Sequence, residues 1–288
     1  MWTETAREQY RREDLRYASD MTDAEWALIS PHLPGQKALG RPRIVALRGV
    51  VEALLYILRT ACPWRLLPRD FPKRSTVQRY FYAWQAQGLW EKVNFLLVQQ
   101  AREREGREAS PSAGVIDSQS VKTTESGGPR GYDAGKKING RKRHIITDTS
   151  GHLVGAQVHT ADIQDRDGAP DLLASIRYLF PWLRHVPPPS RGQAFADGAY
   201  AGEKLETALA GRGQWTLEIV KRSDQAKGFQ LLPRRWVVER TFGWFGRNRR
   251  LARDFERTIA SSEAWLFLAS VQLLARRLAR PRTQATDA

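Results

Sequence analysis

A single cysteine, Cys62, is present among 288 residues. It excludes an internal disulfide framework and a cysteine-based zinc site, and it fits a reducing compartment. Long apolar runs are missing too: the longest, VVEALLYIL (50–58), carries Glu52 and is too short to cross a bilayer. The N-terminal stretch MWTETAREQYRREDLRY has no apolar core of the secretory kind. Histidine is scarce, with five residues at no metal-ligand spacing, and lysine supplies only ten of the basic residues against 36 from arginine. These absences lead us to expect a soluble cytoplasmic protein without a membrane partner.

What is abundant is positive charge. Lysine plus arginine number 46 against 31 acidic residues, a formal net charge of +15. Such a surplus suits a polyanion, because each neutralised phosphate releases condensed counterions. Arginine also grips phosphate bidentately, although a GC-rich genome would enrich it with no function attached. The charge is densest in RRWVVERTFGWFGRNRR (234–250), where six arginines surround one acidic residue, Glu239.

Residues 1–20 are polar, lack an apolar period and read as a mobile arm. In MTDAEWALISPHLP, Thr22 and Glu25 have capping-box spacing, which predicts a short helix, and Met21 is a second candidate start. GRPRIVALRGVVEALLYILRT (40–60) sets Val45, Leu47, Val50, Val51, Leu54, Leu55 and Leu58 on one helical stripe. After a proline-punctuated connection, STVQRYFYAWQAQGLW (75–90) opens with Ser75 and Gln78, again at capping-box spacing, and ends near Gly88. The pair predicts a small all-helical, helix-turn-helix-like DNA-binding domain over 21–101, with Thr76, Gln78 and Arg79 against base edges. A plain helical bundle with a solvated polar face fits the same pattern.

REREGREASPS (102–112) reads as an inter-domain linker. Beyond it the pattern turns to strands: AGVIDSQSV, a hairpin around Thr149-Ser150-Gly151, QAFADGAYAG and WTLEIVKRS, with a helix over IQDRDGAPDLLASIRYLF. Arginine-rich helices follow. The last has an apolar stripe of Trp265, Leu268, Val271, Leu274 and Leu278, and residues 281–288 form a tail.

Asp117 follows Val115-Ile116 at the expected end of the first strand, and Asp197 ends a later one, followed by a glycine. Carboxylates at strand ends face the edge of a sheet, where sites are built. Two or three of them can hold a pair of Mg²⁺ ions, hard cations that prefer oxygen. At 100° per residue, Glu239 shares a helix face with Arg235, Gly243, Gly246 and Arg250, while Val237, Val238, Thr241, Trp244 and Phe245 lie opposite. The simpler reading of Glu239 is an i,i+4 ion pair with Arg235.

VIDSQSVKTTESGGPRGYDAGKKINGRKRHIITDTSG, FADGAYAG and RRWVVERTFGWFGRNRRL, in this order, resemble a bacterial insertion-sequence transposase of the DDE type, in the insertion-sequence-5-like group. The resemblance spans residues 21 to 280. It implies an α/β fold: an RNase-H-like mixed-sheet catalytic core over 113–280, preceded by the helical domain that recognises the element's ends. It implies Asp117, Asp197 and Glu239 as the acidic triad, acting with Mg²⁺ or, in substitution, Mn²⁺. Arg235 matches the arginine four residues before the glutamate. Gly246 stands where a lysine or arginine seven residues after it belongs, and Arg247 follows one place on.

On that resemblance the reaction is two-metal phosphoryl transfer: nicking at the element end, then joining of the 3′-OH to target DNA. Arg235, Arg240, Arg247, Arg249 and Arg250 would clamp substrate phosphates around Glu239. Lys136, Lys137, Arg141, Lys142 and Arg143, on a Gly-rich segment, would contact DNA near the cut. Trp236 is a candidate for stacking an unpaired base, and Trp244 a core residue. His159, Asp162 and Asp165 read as supporting or helix-capping groups rather than ligands. The partners implied are double-stranded DNA, both terminal inverted repeats and target, and a second copy of the chain, in association with the nucleoid. Two other readings remain: a DNA-binding regulator or inactive element-derived protein, and an RNase-H-like nuclease with no joining step.

Overall fold

The computed structural model describes residues 11–36, 42–176, 180, 192–210, 215–220 and 235–280. Thr22 and Glu25 form the reciprocal capping box that starts α1 (Asp23–Ile29). Arg12 forks onto the Glu25 carboxylate at 2.7 Å, Arg16 reaches Asp20 at 3.1 Å, and Tyr17 stacks on Phe71 at 5.2 Å. Ion pairs and one ring do here what an apolar period does elsewhere, so residues 12–20 are packed and the expected mobile arm is corrected for them. Residues 1–10 and 281–288 lie outside the described residues.

Helices α2 (Leu47–Thr60) and α3 (Arg74–Ala86) follow. Residues 61–73 between them far exceed the three- or four-residue turn of a helix-turn-helix. The expected cap at Ser75 is also corrected: α3 starts at Arg74 behind Lys73, with no side-chain cap bond. Gly88, at φ 60°, takes the left-handed corner into α4 (Leu89–Arg104).

The sheet comprises β1 (Ala113–Lys122), β2 (Gly131–Asp133), β3 (Ile138–Asp148), β4 (Leu153–Thr160), β5 (Gly192–Ala196) and β6 (Trp215–Ile219). Its order is β2–β3–β1–β5–β6, with β4 also on β3. β1, β3 and β4 pair antiparallel, whereas β1, β5 and β6 run parallel. The architecture is therefore mixed α/β. The β3–β4 hairpin turns at the expected Thr149–Gly151. Helices α5 (Asp165–Ile176), α6 (Glu203–Ala210), α7 (Arg235–Gly246) and α8 (Ile259–Leu278) complete the described chain.

α8 holds the layers together. Burial extends almost all round it, through Trp265, Leu266, Phe267, Leu268, Ala269, Val271, Leu274 and Ala275, wider than the single stripe expected. A helix apolar on every side belongs inside a core, and α8 packs against α1 to α4 and against β4 at once. The helical layer and the sheet thus share one hydrophobic cluster. The stretch 102–112 is no free linker either: Arg102 is buried against Asp148 at 2.5 Å, and Arg107 bonds the Thr149 and Ser150 hydroxyls. Among the described residues no helix is long and apolar enough to cross a membrane.

The basic segment 136–143 is mostly strand rather than loop, which corrects three expected DNA contacts. Arg141 is fully buried, pairs with Asp254 at 3.1 Å and donates to the Pro129, Arg257 and Thr258 carbonyls. Arg143 donates to the Leu251 and Arg253 carbonyls, and burial pushes its guanidinium down to about 10. Lys142 sits between Asp165 at 2.8 Å and Asp133 at 3.5 Å. All three stand on β3 inside the sheet, Arg141 and Arg143 under residues 251–258 and Lys142 on the opposite face beside Asp165 and the Ile163 carbonyl, so each charge is met by protein. Gly128, at φ 91°, completes this seam, because a Cβ there would stand 2.0 Å from the Arg257 carbonyl oxygen. Arg250, another expected phosphate contact, is likewise turned inward, 2.6 Å from Glu256 and 4.6 Å above the Trp265 ring.

Removing one partner of a buried pair strands the other charge. Asp254→Ala should lower the unfolding free energy by about 3–5 kcal/mol, read by urea denaturation. Exposed Arg249→Ala should stay within about 0.5 kcal/mol. A loss at Asp254 no larger than at Arg249 would contradict the seam.

Candidate active site

The site begins with strand register. β1 and β5 pair in parallel as Ala113–Gln193, Gly114–Ala194 and Val115–Phe195. Carried two residues on, this register brings Asp117 and Asp197 to neighbouring positions, near enough for the Asp197 charge to act on Asp117. β5 stops at Ala196, while β1 runs on to Lys122 paired with β3. Asp117 therefore stands mid-strand, which corrects its expected place at a strand end: the apolar run ends at Ile116, but the ladder with β3 does not. Asp197 accepts from the Ala199 N–H at 2.8 Å and caps a short turn through Tyr200. Beside it, a Cβ on Gly198 would meet nothing within 4 Å.

Glu239 comes from α7, which docks on β1 and β3 through Val237, Val238, Thr241, Phe242 and Phe245. The other face exposes Glu239, Gly243 and Gly246, with open space above both glycines. One turn before Glu239, Arg235 donates to its carboxylate at 3.2 Å and lies 3.8 Å from the Asp197 carboxylate. The i,i+4 pair is thus present, and the same guanidinium draws in an aspartate from another strand.

Asp117 accepts from the Ser118 N–H at 2.7 Å. Burial pushes its carboxyl up to about 6, and the charge of Asp197 pushes the same way, against the Ser118 N–H, Lys136 and Arg235. Tyr200, which sequence reasoning misses, is buried among the same groups. Burial first, then Asp117, Asp165 and Asp197, hold its phenol well above the usual value. Its one signal is its place in the FADGAY block, three residues after the aspartate.

The remaining predicted residues divide. Lys136 donates to the Ser118 carbonyl and hydroxyl at 3.1 Å, so it stands beside Asp117, and Lys137 is exposed at φ 54°. Arg247 and Arg249 are exposed. Arg240 is half-buried, donates to the Ser150 carbonyl and lies 4.2 Å over Trp236 and 4.6 Å over Trp244. Trp244, expected in the core, is half-buried and carries Arg277 at 4.2 Å as well. On α3, Arg79 is exposed, Thr76 and Gln78 are half-buried, and Thr76 and Arg79 line a groove with Ile44 and Tyr80. His159 faces His144 at 2.7 Å, Asp165 is held by Lys142, and Asp162 is exposed.

Among the described residues no three histidine, cysteine, aspartate or glutamate side chains are grouped to hold a metal ion. The donor set of Asp117, Asp197 and Glu239 is nonetheless all oxygen, which suits a hard divalent cation. Arg235 lies between Asp197 and Glu239, and Lys136 and Arg235 both act on Asp117.

Comparison with known proteins fits this arrangement. Residues 108–274, more than half of the chain, match the family model "Transposase DDE domain", and residues 21–94 match "Putative transposase of IS4/5 family". The chain is 32% identical over 138 residues to "Putative transposase for insertion sequence element IS402" from Burkholderia cepacia, covering 45% of this chain and 60% of that protein. It is also 32% identical over 112 residues to "Insertion element IS402 uncharacterized 16.2 kDa protein" from the same organism, covering 36% of this chain and 74% of that one. The chain thus spans 60% of the first relative's length. No solved structure matches.

The raised Asp117 carboxyl makes a testable statement about stability. Folded, it keeps its proton to about 6; unfolded, to about 3.9. Its ionisation therefore opposes folding, with no cost below about pH 4 and the full cost above about pH 7. Without divalent ions, Asp117→Asn should melt above the wild type at about pH 8, and the two should converge near pH 4. Scanning calorimetry reads this; a gap that widens towards acid would refute the raised value.

Proposed function

The chain belongs to the DDE transposases of bacterial insertion sequences, and on that footing we propose that it cleaves the ends of an insertion sequence and joins the freed 3′-OH to target DNA. The observation that carries this reading is Arg235, which joins Glu239 to Asp197, with Asp117 near enough for the Asp197 charge to act on it and open space at Gly198 and Gly243. The strand order, antiparallel about β3 and parallel through β1, β5 and β6, supports an RNase-H-like core.

In this reading Asp117, Asp197 and Glu239 supply the oxygens that hold Mg²⁺ or Mn²⁺. Two such ions, when bound, activate an attacking water or 3′-OH and stabilise the departing oxygen. The residues around them do the rest. Asp117 is fixed by its Ser118 bond, and Lys136 braces that strand from the side. Arg235 turns from the carboxylates to a substrate phosphate, for which its fork is suited. Lys137, Arg240, Arg247 and Arg249 add positive charge along the path of the strand. Thr76, Gln78 and Arg79 on α3 read the terminal repeat. Holding two ends for joining calls for at least two copies of the chain.

The test uses purified full-length chain, a duplex selected from random sequence by binding, and Mg²⁺. Asp117→Asn, Asp197→Asn and Glu239→Gln should each abolish strand cleavage while binding to the selected duplex persists. Precut ends should be joined to target DNA by the wild type. Full cleavage in any one variant would remove that residue from the triad, and cleavage without joining would reduce the enzyme to a nuclease.

A further inference from the structure

Arginines outside the carboxylate site gather in one place. The C-terminal ends of α2, α7 and α8 enclose a cleft of about 440 Å³ lined by Arg59, Arg247, Arg276 and Arg277, with Trp244 and Gln272. No acidic residue lines it, and Arg12 at its edge is already bound to Glu25. Arg59 and Arg247 are exposed. Arg59 is braced on the Arg247 carbonyl at 2.6 Å, Arg276 on the Ala18 carbonyl at 3.2 Å, and Arg277 lies 4.2 Å over the Trp244 ring.

This arrangement is costly. Burial, and then the charges of Arg12, Arg59 and Arg280, push Arg276 down to about 10, with only Glu25 acting against them. Arg277 is lowered by burial and by Arg240. Beneath its lining, Gln272 Nε2 and Arg276 Nε are buried without an acceptor from the protein. Like charges held together by side-chain stacking and carbonyl braces, with no carboxylate in the lining, suit an anion rich in oxygen.

Position identifies which anion. α7 carries Glu239 in its first half and leads directly into Arg247. Eight residues at 1.5 Å rise separate the two by about 12 Å, the axial length of three to four base pairs of duplex. We propose that the cleft binds backbone phosphates of the same DNA duplex, three to four base pairs from the cut, so that α7 acts as a ruler between cleavage and grip. The inference rests on the reading that the Asp117–Asp197–Glu239 site cuts DNA. It adds Arg59, Arg276 and Arg277 to the DNA-binding surface.

The experiment measures binding alone. Full-length protein is titrated in EDTA against a fluorescent duplex of about 30 base pairs, and log K is followed against log salt. Arg59→Gln combined with Arg247→Gln should reduce the salt slope by about 2, about one for each phosphate left unneutralised. Arg65→Gln combined with Arg69→Gln, equally exposed, removes the same charge from the α2–α3 connection and should leave the slope unchanged. Thermal melts of both variants report folding. An unchanged slope in the first variant, or an equal fall in both, overturns the proposal. Because no divalent ion is present, a failure here is separate from any failure of cleavage.

Discussion

Carboxylates brought close together repel one another, and the fold brings Asp197 and Glu239 together because Arg235 shares its charge between them. Everything else about the site answers to that constraint. Parallel register brings the two aspartates to neighbouring positions, and the apolar face of α7 brings glutamate and arginine down together, one turn apart. Asp117 is reluctant to ionise chiefly because it is buried, and the charge of Asp197 adds to the effect. A guanidinium is a weaker match for these oxygens than divalent ions would be, and it is also a ready ligand for phosphate.

The frame around the site is fastened by the same residue type. Arg102, Arg141, Arg143 and Arg250 are buried and matched to aspartate, glutamate or backbone carbonyls. They tie α4, β3 and residues 249–258 together around the apolar helix α8. Arg59, Arg247 and Arg249 point outward. A net charge of +15 therefore describes two populations, one that builds the fold and one that is available to a polyanion.

This division explains what could be read beforehand. Period and turn chemistry disclosed the helix capped by Thr22, the β3–β4 hairpin and the long last helix, because those signals are local. The spacing from Arg235 to Glu239 disclosed an ion pair for the same reason. Sequence could not tell inward arginine from outward: Arg141 and Lys137 sit four residues apart in one basic run, and only strand pairing buries the first. The strand read over AGVIDSQSV does continue past Asp117, where the mostly polar residues 117–122 are held by a ladder with β3. Tyr200, and the meeting of α2, α7 and α8 that forms the arginine cleft, depend on contacts between distant segments.

The central claim is that three distant carboxylates share bound metal. Iron-directed backbone cleavage addresses it without any assay of activity. Fe²⁺ replaces Mg²⁺ in the DNA-bound protein, ascorbate and peroxide are added, and the cut sites are mapped by mass spectrometry. The account predicts cuts clustered near Asp117, Asp197 and Glu239, suppressed by excess Mg²⁺. Cuts at one of these segments alone, or elsewhere in the chain, would contradict it.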